Sequence, residues 1–287
     1  MSTRVQYPYT VHYLRLPDDC ELAYVDEGAG PYTLFFIHGL ATYSMSWQKN
    51  IEALKQHFRC IAIDLPGNGL SGKGNYPYGM GYFAATVLEA VTRLQLQNVV
   101  LVGHSMGGQI ALTTLLHYPA LAQKLVLCAP AGFEVFTPVE KAMYHTTLSF
   151  FDFFSTEENS LRQTIRSSFY NIPSQGDNMI AQLVDIMKTY PVRTYRSMID
   201  ACIQSMLHEP VYDHLHRIQQ PVLAMYGERD ALIPNRLIHP VTTRQVGLSG
   251  VSQFPDARLE MIPQCGHFLQ WEQAAAVNAL IRKFVLE

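Results

Sequence analysis

Apolar and polar positions alternate in two short runs near the start of the chain, Thr10 to Leu16 and Glu21 to Val25, parted by Pro17-Asp18-Asp19. Alternation of period two buries one face of a strand and leaves the other wet, so these runs read as an antiparallel pair joined by a turn. The pattern then changes. Short apolar runs without alternation appear at Thr33–Ile37, Cys60–Ile63, Val99–Val102, Leu125–Cys128 and Val222–Tyr226, with a more polar run at Arg258–Ile262. Strands that are apolar on both sides belong to a parallel sheet covered on both faces. Between them, Trp47–Gln56, Met80–Leu94, Met106–His117 and Leu269–Phe284 carry apolar residues at helical spacing. Strand–helix alternation of this kind predicts an α/β fold, a mostly parallel sheet with helices on both faces.

The rhythm breaks between Phe133 and His214. Nothing there reads as a buried strand, whereas Leu161–Phe169, Asn178–Thr189 and Tyr195–Leu207 have helical spacing. The interval holds seven Phe and five Tyr, more than seating a thin layer of helices requires. It reads as a helical cap, residues 133–214, inserted into a core of residues 1–132 and 215–287. Pro130-Ala131-Gly132 and Gln219-Gln220-Pro221 mark its hinges.

Composition narrows the class. With 48% hydrophobic and 16% charged residues the chain can bury a large core. A net charge of −3 and the lack of any basic run argue against a nucleic-acid partner. No apolar window is long enough for a membrane span, and residues 1–10 do not resemble a signal peptide. The five cysteines are scattered and form no C-x-x-C pair, so a disulfide framework or zinc site is not expected and a cytoplasmic location is.

The chemistry lies at strand ends. Gly103-His104-Ser105-Met106-Gly107 is a G-x-S-x-G pattern between an apolar strand and a helix. A sharp turn there lifts a serine hydroxyl above the sheet edge and beside unpaired helix N–H groups. Such a nucleophile needs a base and an acid to orient it. Asp230 follows the strand ending at Tyr226, and His267 follows the last strand in Gln264-Cys265-Gly266-His267. Ser105, Asp230 and His267 thus form the expected triad. Glu134, Asp64 and Glu228 compete for the acid role, with Glu134 the most serious rival. The amides of Leu40, in the His38-Gly39-Leu40 turn, and of Met106 are the candidate oxyanion donors. His38 and His104 read as residues that orient these turns rather than as metal ligands, and neither metal nor cofactor is expected.

With those motifs in place, the sequence resembles the α/β-hydrolase superfamily in its capped, single-domain branch, over nearly its whole length. Asp64-Leu65-Pro66-Gly67-Asn68-Gly69-Leu70-Ser71 is similar to a structural loop of that family at the active-site rim. The resemblance implies an eight-stranded, mostly parallel sheet and a serine hydrolase acting on an ester or related acyl group. Serine at the nucleophile position disfavours epoxide and carbon–halogen cleavage. Carbon–carbon hydrolysis of ring-fission products, acyl transfer or perhydrolysis stay open, as does a ligand-binding protein on the same scaffold. The expected partner is a small molecule with an apolar arm, held by Trp47, Phe133, Phe136 and Tyr144. Residues 238–255 look like an insertion. They read as a surface loop, with rim cover or a homodimer contact as the other readings.

Overall fold

The change in hydrophobic period near residue 30 is the boundary between two kinds of sheet in the computed structural model, which describes residues 7–143, 158–173, 176–188 and 191–287. Strand β1 (His12–Arg15) pairs antiparallel with β2 (Glu21–Glu27), and β2 antiparallel with β4 (Arg59–Ile63). From there the sheet is parallel: β3 (Thr33–Ile37), β5 (Val99–His104), β6 (Lys124–Cys128), β7 (Val222–Gly227) and β8 (Ala257–Ile262). The eight strands run in the order β1-β2-β4-β3-β5-β6-β7-β8. The runs that lacked alternation, β3 and β5, are buried at every position, while β8 at the edge alternates.

The crossovers place the helices. From β3 the chain moves outward to β4 through α1 (Gln48–Leu54), then returns past β3 to β5 through α2 (Met80–Arg93). From β5 it continues in that same direction to β6 through α3 (Met106–His117). Right-handed connections put helices on opposite faces when the direction reverses. The reversal also opens a crevice between the carboxyl ends of β3 and β5, where sheets of this kind bind ligands. The His38-Gly39-Leu40 turn and Ser105 face each other across it.

Among the described residues, no strand lies between β6 and β7. Helices α4 (Glu158–Ser167), α5 (Gly176–Lys188) and α6 (Val192–His208) fall within a turn of the predicted ones. They are seated by polar contacts as well as apolar ones. Tyr43 Oη donates to Gln182 Oε1 at 2.7 Å. Gln109 Nε2 donates to the Met206 and Glu209 carbonyls. Glu209 Oε2 accepts from the Gly81 amide at 3.0 Å, at the N-terminus of α2, where backbone N–H groups favour an anion.

Two expectations need correction. Residues 238–255 do not remain a loop: they contain α7 (Thr243–Val251), opened by a capping box between Thr242 and Gln245 and packed on β7 and β8. Two glycines hid this helix from its pattern. Gly250 is required there, because a Cβ would lie 2.0 Å from the Phe133 ring. The predicted helix Leu269–Phe284 is two helices, α8 (Leu269–Glu272) and α9 (Ala274–Leu286), broken at Gln273, whose φ of −126° and ψ of 44° are not helical.

Candidate active site

Ser105 joins β5 to α3 with φ 53° and ψ −118°, a backbone that L-residues avoid at a cost of roughly 1–3 kcal/mol. Its neighbours hold it there. The Ser105 amide donates to the Cys128 carbonyl at 3.0 Å, and its own carbonyl accepts from Gly108 and Ala131 at 2.9 and 3.0 Å. Gly39 crosses directly above: a Cβ on it would sit 3.2 Å from Ser105 Cβ. The same Cβ would sit 2.9 Å from His104 Nδ1, so a side chain at this position would have to push both the histidine ring and the serine aside. Met106 opens α3, where the first amides have no acceptor within the helix.

His267 Nδ1 and Asp230 Oδ2 are 2.8 Å apart, and both side chains are buried. The other Asp230 oxygen, Oδ1, accepts from the Leu232 and Ile233 amides at 2.8 and 3.0 Å. Such a carboxylate is fixed in place and accepts a hydrogen bond from Nδ1–H, and in the neutral imidazole that tautomer leaves Nε2 as the bare nitrogen.

The rival acids are engaged elsewhere. Glu134 Oε1 accepts from the Asn235 amide at 2.9 Å and faces His239 Nδ1 at 2.6 Å. Burial raises its pKa. Asp64 accepts from the Ser44 and Leu70 amides and from Tyr7 Oη at 2.8, 2.7 and 2.5 Å, which makes it the post around which its loop is wound. Glu228 is exposed to solvent.

The two other histidines brace the turns. His38 Nε2 accepts from the Leu65 amide at 3.0 Å, so its proton lies on Nδ1 and is donated to the Gly39 carbonyl at 2.8 Å. His104 Nε2 donates to the His267 carbonyl at 3.0 Å, and its buried Nδ1 has no partner among the described residues. Burial lowers the pKa of both, keeping them neutral. The thiols of Cys60 and Cys202 are each pushed up to about 12 by burial, and all five cysteines are free and buried.

The expected substrate aromatics separate. Trp47 is fully buried, its ring 5.0 Å from Phe36 and 6.4 Å from His104. Phe133 fills the seam between α7 and β7, against Tyr226 and Phe254. Phe136 lies half-buried with its ring 5.0 Å from His239. Tyr144 lies outside the described residues. Leu40 stands in the turn after β3, half-buried.

Sequence reasoning passed over Glu272 and Ser168. Glu272 accepts from the amides of Gly266, Tyr170 and Asn171, and the Ser168 carbonyl accepts from the His267 amide at 2.9 Å. Backbone amides leave no trace in a sequence pattern. A weak signal was the placement of Glu272 five positions after His267. Among the described residues, no cluster of three metal-ligating side chains exists, and no helix is long and apolar enough to cross a membrane.

The model of the alpha/beta hydrolase fold family matches residues 32–274, and the chain belongs to that family. It is 29% identical to the pimeloyl-(acyl-carrier protein) methyl ester esterase of Nitrosospira multiformis, over 88% of this chain and 94% of that one. It is 27% identical to a 2-hydroxy-6-oxononadienedioate/2-hydroxy-6-oxononatrienedioate hydrolase of Paraburkholderia phymatum, over 96% and 94%. An esterase from Exiguobacterium antarcticum superposes with a TM-score of 0.80 at 19% identity, over 96% of this chain and 99% of that one, a likeness of fold. The chain is an α/β-fold hydrolase.

Proposed function

We propose that this hydrolase cleaves carboxylic esters through a Ser105–His267–Asp230 triad and an acyl-enzyme. The observation that carries the reading is the buried His267–Asp230 contact, made on the same sheet edge as a strained serine at a helix N-terminus. His267 Nε2 takes the Ser105 proton as Oγ attacks the ester carbonyl carbon. The Leu40 and Met106 amides receive the developing oxyanion. Collapse breaks the C–O bond, and imidazolium returns the proton to the departing alkoxide. Water then attacks the acyl carbon, giving its proton to His267, and Ser105 leaves reprotonated.

Residues 133–214 act as the cap and set substrate choice, and residues 1–132 with 215–287 act as the catalytic core. Phe136, with Tyr144, is assigned to the apolar arm of the substrate; Trp47, fully enclosed against Phe36 and His104, and Phe133, in the seam beneath, are packing residues instead of the substrate contacts expected from sequence. Five free, buried thiols support a reducing, cytoplasmic setting. Similarity to a carbon–carbon hydrolase keeps one second reading, in which the same serine or a water attacks a ring-fission dienone.

Ser105→Ala should fold normally and lose about 10⁴-fold or more in esterase turnover. The same variant should resist fluorophosphonate, whereas the parent is labelled at Ser105. Labelling at another serine would remove the elbow from the mechanism, and no labelling at all would favour a binding protein. p-Nitrophenyl esters of rising chain length, assayed beside a ring-fission dienone, separate the two hydrolytic readings.

A further inference from the structure

The loop that carries His267 is held on one side by the sheet and on the other by the inserted helices. On the sheet side, the Arg229 amide donates to the Cys265 carbonyl at 2.9 Å, and His104 Nε2 to the His267 carbonyl. On the other side, of the two successive amides leading into the imidazole, that of His267 reaches the turn after α4 directly and that of Gly266 reaches it through Glu272. The His267 amide donates to the Ser168 carbonyl. The Gly266 amide donates to Glu272 Oε1 at 3.0 Å, while Glu272 Oε2 accepts from the Tyr170 and Asn171 amides at 3.0 and 2.9 Å. One carboxylate therefore bridges the two segments.

The approach is close. A Cβ at Gly266 would fall 2.5 Å from the Tyr170 nitrogen and 2.7 Å from Glu272 Oε1. Phe169 stacks on Phe268 with centroids 4.8 Å apart and planes 12° from parallel. The Arg229 guanidinium lies 5.8 Å from the centre of the Tyr170 ring. Glu272 itself stands on a pinned element: Trp271 Nε1 donates to the Ser46 carbonyl at 2.6 Å, and Lys49 Nζ to the Trp271 carbonyl at 3.2 Å.

We propose that Glu272 is a positioning residue that latches the cap turn at 168–171 to the histidine loop, so that seating the cap and placing the imidazole are one event. This rests on His267 being the base of the proposed triad. A carboxylate suits the task because it only accepts, and here it accepts from three N–H donors. Bonds to a charged acceptor are about twice as strong as neutral ones. An amide in its place must turn an N–H₂ toward one of its two groups of donors, so the latch opens at the cap or at Gly266. A displacement of about 1 Å in a catalytic group costs about 100-fold in rate.

The test compares Glu272→Gln and Glu272→Asp with the parent enzyme. Active serines are first titrated with fluorophosphonate, so that turnover is counted per intact site. The expected result for Glu272→Gln is a kcat per titrated serine lowered roughly 10- to 100-fold, with KM for p-nitrophenyl acetate within about threefold. Glu272→Asp keeps the charge but is one methylene shorter, and falls between the two. Amide hydrogen exchange at 170–171 and at 266–267 should quicken together in Glu272→Gln. A normal kcat per titrated serine, with only fewer titratable sites, assigns Glu272 to stability and overturns the proposal. Faster exchange at 170–171 with 266–267 unchanged also overturns it. Failure of the triad reading is seen separately, as a parent enzyme whose Ser105 takes no label.

Discussion

Asp230 and Glu134 are both carboxylates placed after parallel strands, and sequence alone could rank them only by position. Their surroundings now differ sharply. Asp230 is buried against His267 Nδ1 and anchored by two amides, whereas Glu134 is turned toward His239 and Asn235. Asp230→Asn should therefore cut esterase kcat by about 10⁴-fold, because an amide presents a donor to Nδ1 and favours the wrong imidazole tautomer. Glu134→Gln should leave kcat for small esters within a few-fold. Steady-state kinetics on both variants decides the assignment, and a reversed outcome would return Asp230 to a turn residue. Ser105, Asp230 and His267, the residues of the proposed triad, stand out in the sequence because each has a side-chain identity and a place at a strand end. Glu272 does not, because its partners are main-chain amides that any residue supplies.

At the level of elements, hydrophobic period located the strands and most helices, since burial on one face or two leaves a direct imprint on residue order. It failed where packing depends on small residues. Helix α7 carries Gly247 and Gly250 on buried positions, and a glycine-bearing stretch reads as a loop. Those glycines are there to admit neighbours: Gly247 faces Leu259 and Tyr226, and Gly250 faces the Phe133 ring. Gly250→Val should drive its side chain into Phe133, which is 2% exposed and has no room to yield. The expected loss is about 1–3 kcal/mol, read as a lower urea midpoint with an unchanged slope. Equal stability would mean that α7 shifts freely on β7. The break at Gln273 was equally hidden, because residues 269–284 keep helical spacing through a kink that the backbone alone reveals.

For the molecule as a whole, the sheet edge that carries Ser105, Asp230 and His267 is also the edge from which the inserted helices leave and return. Under the proposed function, chemistry and substrate choice belong to different parts of one chain. Phe136→Ala should shift the chain-length preference for p-nitrophenyl esters through kcat/KM by roughly 10- to 200-fold, the range that apolar contacts in a pocket command. Phe133→Ala should instead lower the melting temperature and leave the preference alone, since its ring closes a seam between Tyr226 and Phe254. An unchanged profile in Phe136→Ala would place the acyl pocket elsewhere.

The pairing of β6 with β7 has a consequence for how such a chain can change over time. Leu125 stands opposite Val222 and Cys128 opposite Met225, so the two strands are immediate neighbours although the whole insertion separates them in sequence. Closing a flexible loop costs only about 0.6 kcal/mol more for each doubling of its length. That is less than the burial of a single methylene, about 0.8 kcal/mol. Lengthening the flexible connections within the segment between these strands therefore perturbs the sheet less than a modest substitution inside it. The join between β6 and β7 is a point at which descendants of one gene can acquire new diets while inheriting the same sheet.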